Sequence, residues 1–262
     1  MTSIFLRNFD ENFYQMISQL PKVAPQYQSQ NKFNCDPTNS SSLITMFGKF
    51  ILYGLAIVAV AEFLMRQVGR EQQEMKFSED SPIETLQSLF LLFSIFALTY
   101  GILIYKNWRP LLLLIAEFLF ASFVREQDAY LDLHYFDGAW QMIVLLSLPF
   151  PIYYAITNRK LLLETLKVYT SLFAFGMMIS GVLTTYIFSR LYGRKIFWMA
   201  AMEKGYMRDV KNISEESLET YGYLLIFIAS IEMILLIQRM DSKSKKSLKP
   251  VSKISSENLR VS

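Results

Sequence analysis

Six stretches of this chain, from 15 to 29 residues long, carry few or no charges, and about 20 such residues are what a helix needs to cross a ~30 Å hydrocarbon layer. They are Leu43–Met65, Glu84–Tyr105, Pro110–Val124, Gly138–Ile156, Leu161–Ser189 and Tyr221–Gln238. Inside lipid every backbone N–H and C=O must be satisfied within the protein. Uninterrupted apolar runs therefore predict helices. The reading is an all-α, polytopic membrane helix bundle of about six transmembrane helices with amphipathic interfacial helices beside them. Only 19% of the 262 residues are charged, against ~25% in an ordinary soluble domain. That deficit excludes a disordered chain and a coiled coil.

The segments between and around these runs differ in character. Residues 1–23 place Phe5, Phe9, Phe13, Met16 and Leu20 at helical spacing, and Pro21 ends the pattern, which predicts an amphipathic helix. No apolar leader core is evident in Met1–Gln15, so no cleaved signal is expected. Residues 24–42 read as a polar linker, residues 43–240 as the six-span bundle, and residues 241–262 as a basic, disordered tail. Lys195–Met207 reads as a short helix resting at the headgroup level. The third run is short and is expected to continue as a polar helix. The fourth is interrupted by Pro149 and Pro151. Gly176, Ser180 and Thr184 recur every four residues, which predicts a helix-packing face.

The Lys and Arg residues suggest an orientation, because cytoplasmic loops carry an excess of them. Lys106 with Arg109, Arg159 with Lys160, and the Lys-rich tail all fall on one side of a six-span chain. Both termini are thus expected in the cytoplasm of an integral membrane protein; in a bacterium, that would be the inner membrane. Arg190, Arg194, Lys195, Lys204, Arg208 and Lys211 would then lie in the long outer loop between spans five and six.

The same topology gathers acidic residues on the outer face. Residues three or four apart share a helix stripe. Glu84, Gln87, Leu91 and Ser94 form one; Glu117, Ala121, Arg125, Asp128 and Asp132 form a second; Glu215, Glu219, Gly222, Leu225, Ala229 and Glu232 form a third. Glu117 and Glu232 lie deep within their spans, where a charge costs roughly 2.5–3.5 kcal/mol on insertion scales. The candidate binding residues are therefore Glu84, Gln87, Glu117, Arg125, Asp128, His134, Glu215 and Glu219. The competing explanation is capping. Ser81, Pro82 and Glu84 fit an N-cap, N1 and N3, and Ser214 ahead of Glu215 and Glu216 fits a second helix start.

Chemistry is bounded by counts. A single histidine, His134, excludes zinc proteases with two histidines on one helix face, and the single Cys35 excludes an internal disulfide. No catalytic or metal-binding residue is assigned. No cofactor is evident, and a divalent cation held by carboxylates is the one such group the residues suggest. Membrane lipid and another membrane protein are the expected partners, and nucleic acid is not. The leading functional reading is an outward-facing carboxylate/Arg pocket that binds or transports a cation or small polar substrate. A membrane-embedded enzyme acting on a lipid or lipid-linked substrate and an accessory or assembly subunit are the alternatives.

Overall fold

A computed structural model describes residues 40–70 and 81–257, with side chains over 44–68 and 81–242. The expected N-terminal helix over 1–23 and the linker through residue 39 lie outside the described residues. The chain divides into two units at Ile51 and Leu52. The first is represented by the opening turns of helix α1 (Ser40–Arg70), with Ile44, Met46, Phe47 and Phe50 exposed. The second holds everything else. Its elements are α2 (Pro82–Ile104), a 3₁₀ turn (Lys106–Trp108), α3 (Arg109–Arg125), α4 (Asp128–His134), α5 (Ala139–Ser147), α6 (Pro149–Thr157), α7 (Arg159–Thr170), α8 (Phe173–Leu183), a π-helical turn (Thr184–Phe188), α9 (Ser189–Tyr192), α10 (Lys195–Met202) and α11 (Arg208–Glu257). No strand occurs among the described residues.

Six segments are long and apolar enough to cross a membrane: Ile44–Val68, Pro82–Ile104, Lys106–Arg125, Ala139–Thr157, Phe173–Tyr192 and Arg208–Ser242. The protein is a polytopic helical membrane bundle. Its surface agrees with a lipid solvent, since Phe93, Phe96, Leu103, Leu146, Phe150 and Phe173 point outward. The interior is built on α11, whose apolar window is 67% buried, far more than that of any other span. Leu91 and Leu98 of α2, Leu112 and Leu119 of α3, and Met178 of α8 close around Tyr223, Ile226, Ala229, Met233 and Ile237 of α11.

Local chemistry explains the element boundaries. Ser81 Oγ accepts the Glu84 N–H at 3.3 Å with Pro82 in the first turn, so α2 begins as its cap requires. The fourth span is interrupted at Leu148, where Pro149 and Pro151 open α6 and cannot donate to the preceding turn.

Four expectations are corrected. The fifth span does not begin at Leu161. Arg159–Thr170 is a separate helix carrying Arg159, Lys160, Glu164 and Lys167, and Leu172 is extended (φ −91°, ψ 148°). Thr170 and Ser171 donate to the Lys167 and Val168 carbonyls at 3.0 and 2.7 Å, taking up groups that would otherwise continue the helix. Nor does the third span continue as one polar helix. It turns at Glu126 and Gln127 before α4, which takes Asp128 and Asp132 off the stripe of Glu117 and Arg125. The small-residue face is rotated, because Gly176 and Ser180 are exposed while Ala174, Met178, Gly181, Thr185 and Ser189 are buried. Finally, α11 starts at Arg208, so Ser214 is inside a helix, donating to the Val210 carbonyl at 2.8 Å, and does not cap it. The helical backbone also continues through Glu257, into the stretch expected to lack structure. Extending an existing helix needs no new nucleation, and Lys and Ser lower its propensity only slightly, whereas Pro250 removes one backbone donor and opposes the extension.

Candidate functional site

Antiparallel succession puts the start of α2, the end of α3, the end of the fifth span and the start of α11 at one end of the bundle. The polar side chains meet there. On α11, Lys211 pairs with Glu215 one turn on. Arg190 of α9 reaches Glu215 from the neighbouring span at 3.1 Å, and also Glu219, one turn further along α11, at 3.2 Å. Arg125, at the end of α3, lies 2.5 Å from Glu126 and 4.0 Å from Glu219. Its guanidinium sits 5.6 Å from the centre of the Tyr186 ring, within cation–π range. Tyr223 donates to Glu126 at 2.7 Å, and Tyr186 donates to Ser122 at 2.5 Å. From α2, the Gln87 amide donates to Thr220 at 2.9 Å and to the Glu216 carboxylate at 3.0 Å. The Gln87 carbonyl oxygen is buried with no hydrogen-bond partner among the described residues.

The network is sheltered unevenly. The Glu219 side chain is 3% exposed and that of Glu215 11%, whereas Arg190 is 50% exposed. The carboxylates therefore sit inside and the arginines cover them from the solvent side. A buried carboxylate without such a partner would cost several kcal/mol. Ser189 adds a neutral donor to Glu219 at 3.2 Å.

The backbone that delivers Ser189 and Arg190 is unusual. Thr184–Phe188 is a π turn, a widened helical segment that is rare and frequently found at functional sites. It lies directly against α11, with Thr185 donating to the Glu219 carbonyl at 3.5 Å. Glycine makes the approach possible. A Cβ on Gly181 would stand 2.7 Å from the Gly222 carbonyl oxygen, and one on Gly222 would collide with Thr185. A Cβ on Gly193, in the corner after α9, would be 2.5 Å from the Glu215 carboxyl group.

Of the residues singled out from sequence, the structure brings Gln87, Arg125, Glu215 and Glu219 into this network. Glu84 is at its rim, where it helps line a groove of about 150 Å³ with Ser88, Glu126, Gln127 and Tyr130. Glu117 is apart from it and accepts from Ser147 of α5 at 2.6 Å. Asp128 is exposed and accepts from the adjacent Ala129 N–H at 2.7 Å. His134 is exposed, stacked on Tyr130 at 4.1 Å between ring centres, with Nδ1 2.9 Å from the Tyr130 carbonyl oxygen. The deep Glu232 accepts from Tyr53 of α1. Sequence reasoning left out Arg190 and Lys211, which it placed among loop cations, and Glu126, Tyr186 and Tyr223. The i, i+4 spacing of Lys211 and Glu215 was a visible signal for one of them. Arg190 carried none, because its place depends on where the fifth span ends.

The arrangement is an ion-pair network more than a cation cage. Among the described residues, no group of three or more His, Cys, Asp or Glu side chains is gathered as a metal ion would require. No protein family, curated protein or solved structure matches this chain.

Proposed function

We propose that this protein binds or transports a small cation or a proton, and that the network around Glu219 is its site. The observation that carries the reading is a charge imbalance in a sheltered place. Four carboxylates, Glu126, Glu215, Glu216 and Glu219, face three cations, Arg125, Arg190 and Lys211, in a network drawn from four spans. One negative charge is left over, and it is most cheaply balanced by a proton or a single small cation. The unpartnered Gln87 carbonyl beside Glu216 offers a further acceptor to such a donor.

The network can also respond to occupancy. Glu219 is shared between Arg190 and Arg125, so a cation that takes over Glu219 weakens the tie between the fifth and sixth spans. Arg190, half exposed, can turn to water without a large desolvation change. Glu117 and Glu232 provide acids farther along the bundle, each hydrogen-bonded to another helix.

The test is ion flux in proteoliposomes loaded with a pH-sensitive dye. Gradients of Na⁺, K⁺, Mg²⁺ and methylammonium are imposed in turn. The expected result is flux or dye response to at least one gradient, lost in Glu219→Gln and kept in Glu62→Gln, whose carboxylate pairs with Arg66 on the surface of α1. A folded protein that responds to none of the gradients, or a Glu219→Gln variant as active as the parent, rejects the reading.

A further inference from the structure

The segment that joins the fifth span to α11 holds four cations that the ion-pair network does not use. Arg194, Lys195, Lys204 and Arg208 are all exposed, and none has an ion-pair partner among the described residues. Glu203 and Asp209 are the acids in the same stretch, so it carries an excess of positive charge. Arg190 and Lys211, at its two ends, are turned inward onto Glu215 and Glu219.

Between these cations α10 and the short segment after it present apolar side chains to the outside. Ile196 is 81% exposed, and Phe197, Met199 and Met207 are exposed as well. In water this would be a costly surface. Its position relative to the bilayer is set by short-range contacts. The Trp198 indole N–H donates to the Tyr192 carbonyl at 2.9 Å, and the Tyr192 ring lies 5.3 Å from both Phe197 and Trp198. Tyr192 is the last residue of the fifth span. Thus α10 is held against the end of the fifth span. Tyr and Trp at that level are what membrane–water interfaces favour.

We propose that α10 and its flanks, Arg194–Arg208, form a docking surface for anionic phospholipid headgroups. Ile196, Phe197 and Met199 insert at the acyl boundary, while Arg194, Lys195, Lys204 and Arg208 meet the phosphates. Helices with this division of faces lie in the interface plane and respond to anionic lipid. The occupant is a bilayer lipid and not a protein, because the depth of α10 is set by its tie to Tyr192 and its uncompensated charge is positive. Each basic residue near an anionic surface changes association about fivefold. This surface shares no residue with the network around Glu219, so the two proposals stand or fall separately.

The test uses Trp198 as a local probe in the full chain. The other two tryptophans are replaced (Trp108→Phe, Trp140→Phe), and the protein is reconstituted into phosphatidylcholine–phosphatidylglycerol vesicles. Either lipid carries brominated acyl chains in separate samples. Brominated phosphatidylglycerol is expected to quench Trp198 disproportionately, by about fivefold or more in relative association. Raising the salt concentration should weaken that preference. The combined Arg194→Gln, Lys195→Gln, Lys204→Gln and Arg208→Gln variant should abolish it. A charge-keeping Lys195→Arg, Lys204→Arg variant should retain it, as should Lys106→Gln with Lys160→Gln elsewhere on the chain. Equal quenching by the two lipids in the parent overturns the proposal. So does a preference that survives the fourfold Gln variant, or a Trp198 that neither lipid reaches.

Discussion

Replacing Gly181 by alanine tests the contact on which the whole site depends. The added Cβ would lie 2.7 Å from the Gly222 carbonyl oxygen, 2.7 Å from Ile226 Cγ1 and 3.0 Å from Ile226 N. Comfortable contacts between heavy atoms are about 3.5–4.0 Å, so the two helices must separate by most of an ångström. Two of the three obstructing atoms are backbone atoms of α11 and cannot rotate away. Overpacking of this kind costs about 1–3 kcal/mol, and backbone obstruction places this case in the upper half. The control is Gly176→Ala on the same helix, where a Cβ meets nothing within 4 Å. Both changes gain up to about 1 kcal/mol of helix propensity, so that contribution cancels in the comparison. A net difference of about 2 kcal/mol corresponds to roughly 4–8 °C in melting temperature for a chain of this size. The assay is thermal unfolding in detergent, followed by far-UV circular dichroism. Gly181→Ala should melt below Gly176→Ala by that margin. Equal melting temperatures would mean that α8 and α11 do not approach as closely as described, and the placement of the π turn against Glu219 would fall with that.

Three other outcomes are expected. Arg190→Gln should destabilise the protein by about 1–3 kcal/mol in the same assay, because it leaves a nearly buried Glu219 with Arg125 at 4.0 Å as its nearest cation, while the exposed Arg66→Gln should cost under ~1 kcal/mol. Tyr169→Phe should be neutral or stabilising, because the Tyr169 hydroxyl is buried without a partner among the described residues; a loss beyond ~1 kcal/mol would show that the hydroxyl is bonded. In a Cys35→Ser background, single cysteines at Ala129 and Asn212 should react with an impermeant thiol reagent from the same side of the membrane and one at Asn107 from the other; labelling of Ala129 and Asn212 from opposite sides would break the shared face.

Much of the architecture was legible because it is a sum over local windows. The cost of placing a 20-residue segment in hydrocarbon depends on its own composition, so all six spans could be found, with two starts misplaced by about a dozen residues: the fifth span begins at Phe173 and not Leu161, and the sixth helix at Arg208 and not Tyr221. The Ser81 cap was equally local: a hydroxyl, a proline and an N–H three residues on. The acidic face was half legible. Alternation of spans placed the starts of α2 and α11 beside the end of α3, and stripe periodicity picked out Gln87, Arg125, Glu215 and Glu219. The same periodicity failed wherever a helix stopped unseen. Asp128 and Asp132 were assigned to a stripe that ends at the Glu126 turn, and Gly176 to a packing face that is rotated away.

The sequence by itself determined that this chain crosses a membrane as helices, roughly where, and which acids belong to one end. Those properties follow from hydrophobic transfer and from helical repeat, both of which act over a few turns. Only the tertiary structure decided the partners. Arg190 meets Glu215 and Glu219 across 25 and 29 residues of sequence, and Gln87 meets Thr220 across 133. Such pairings depend on the axial shift and rotation of one helix against another, set here by Gly181 against Gly222 and by the widened turn at Thr184–Phe188. A rotation of one residue moves a side chain by about 100° around the helix axis, enough to exchange lipid for an ion pair.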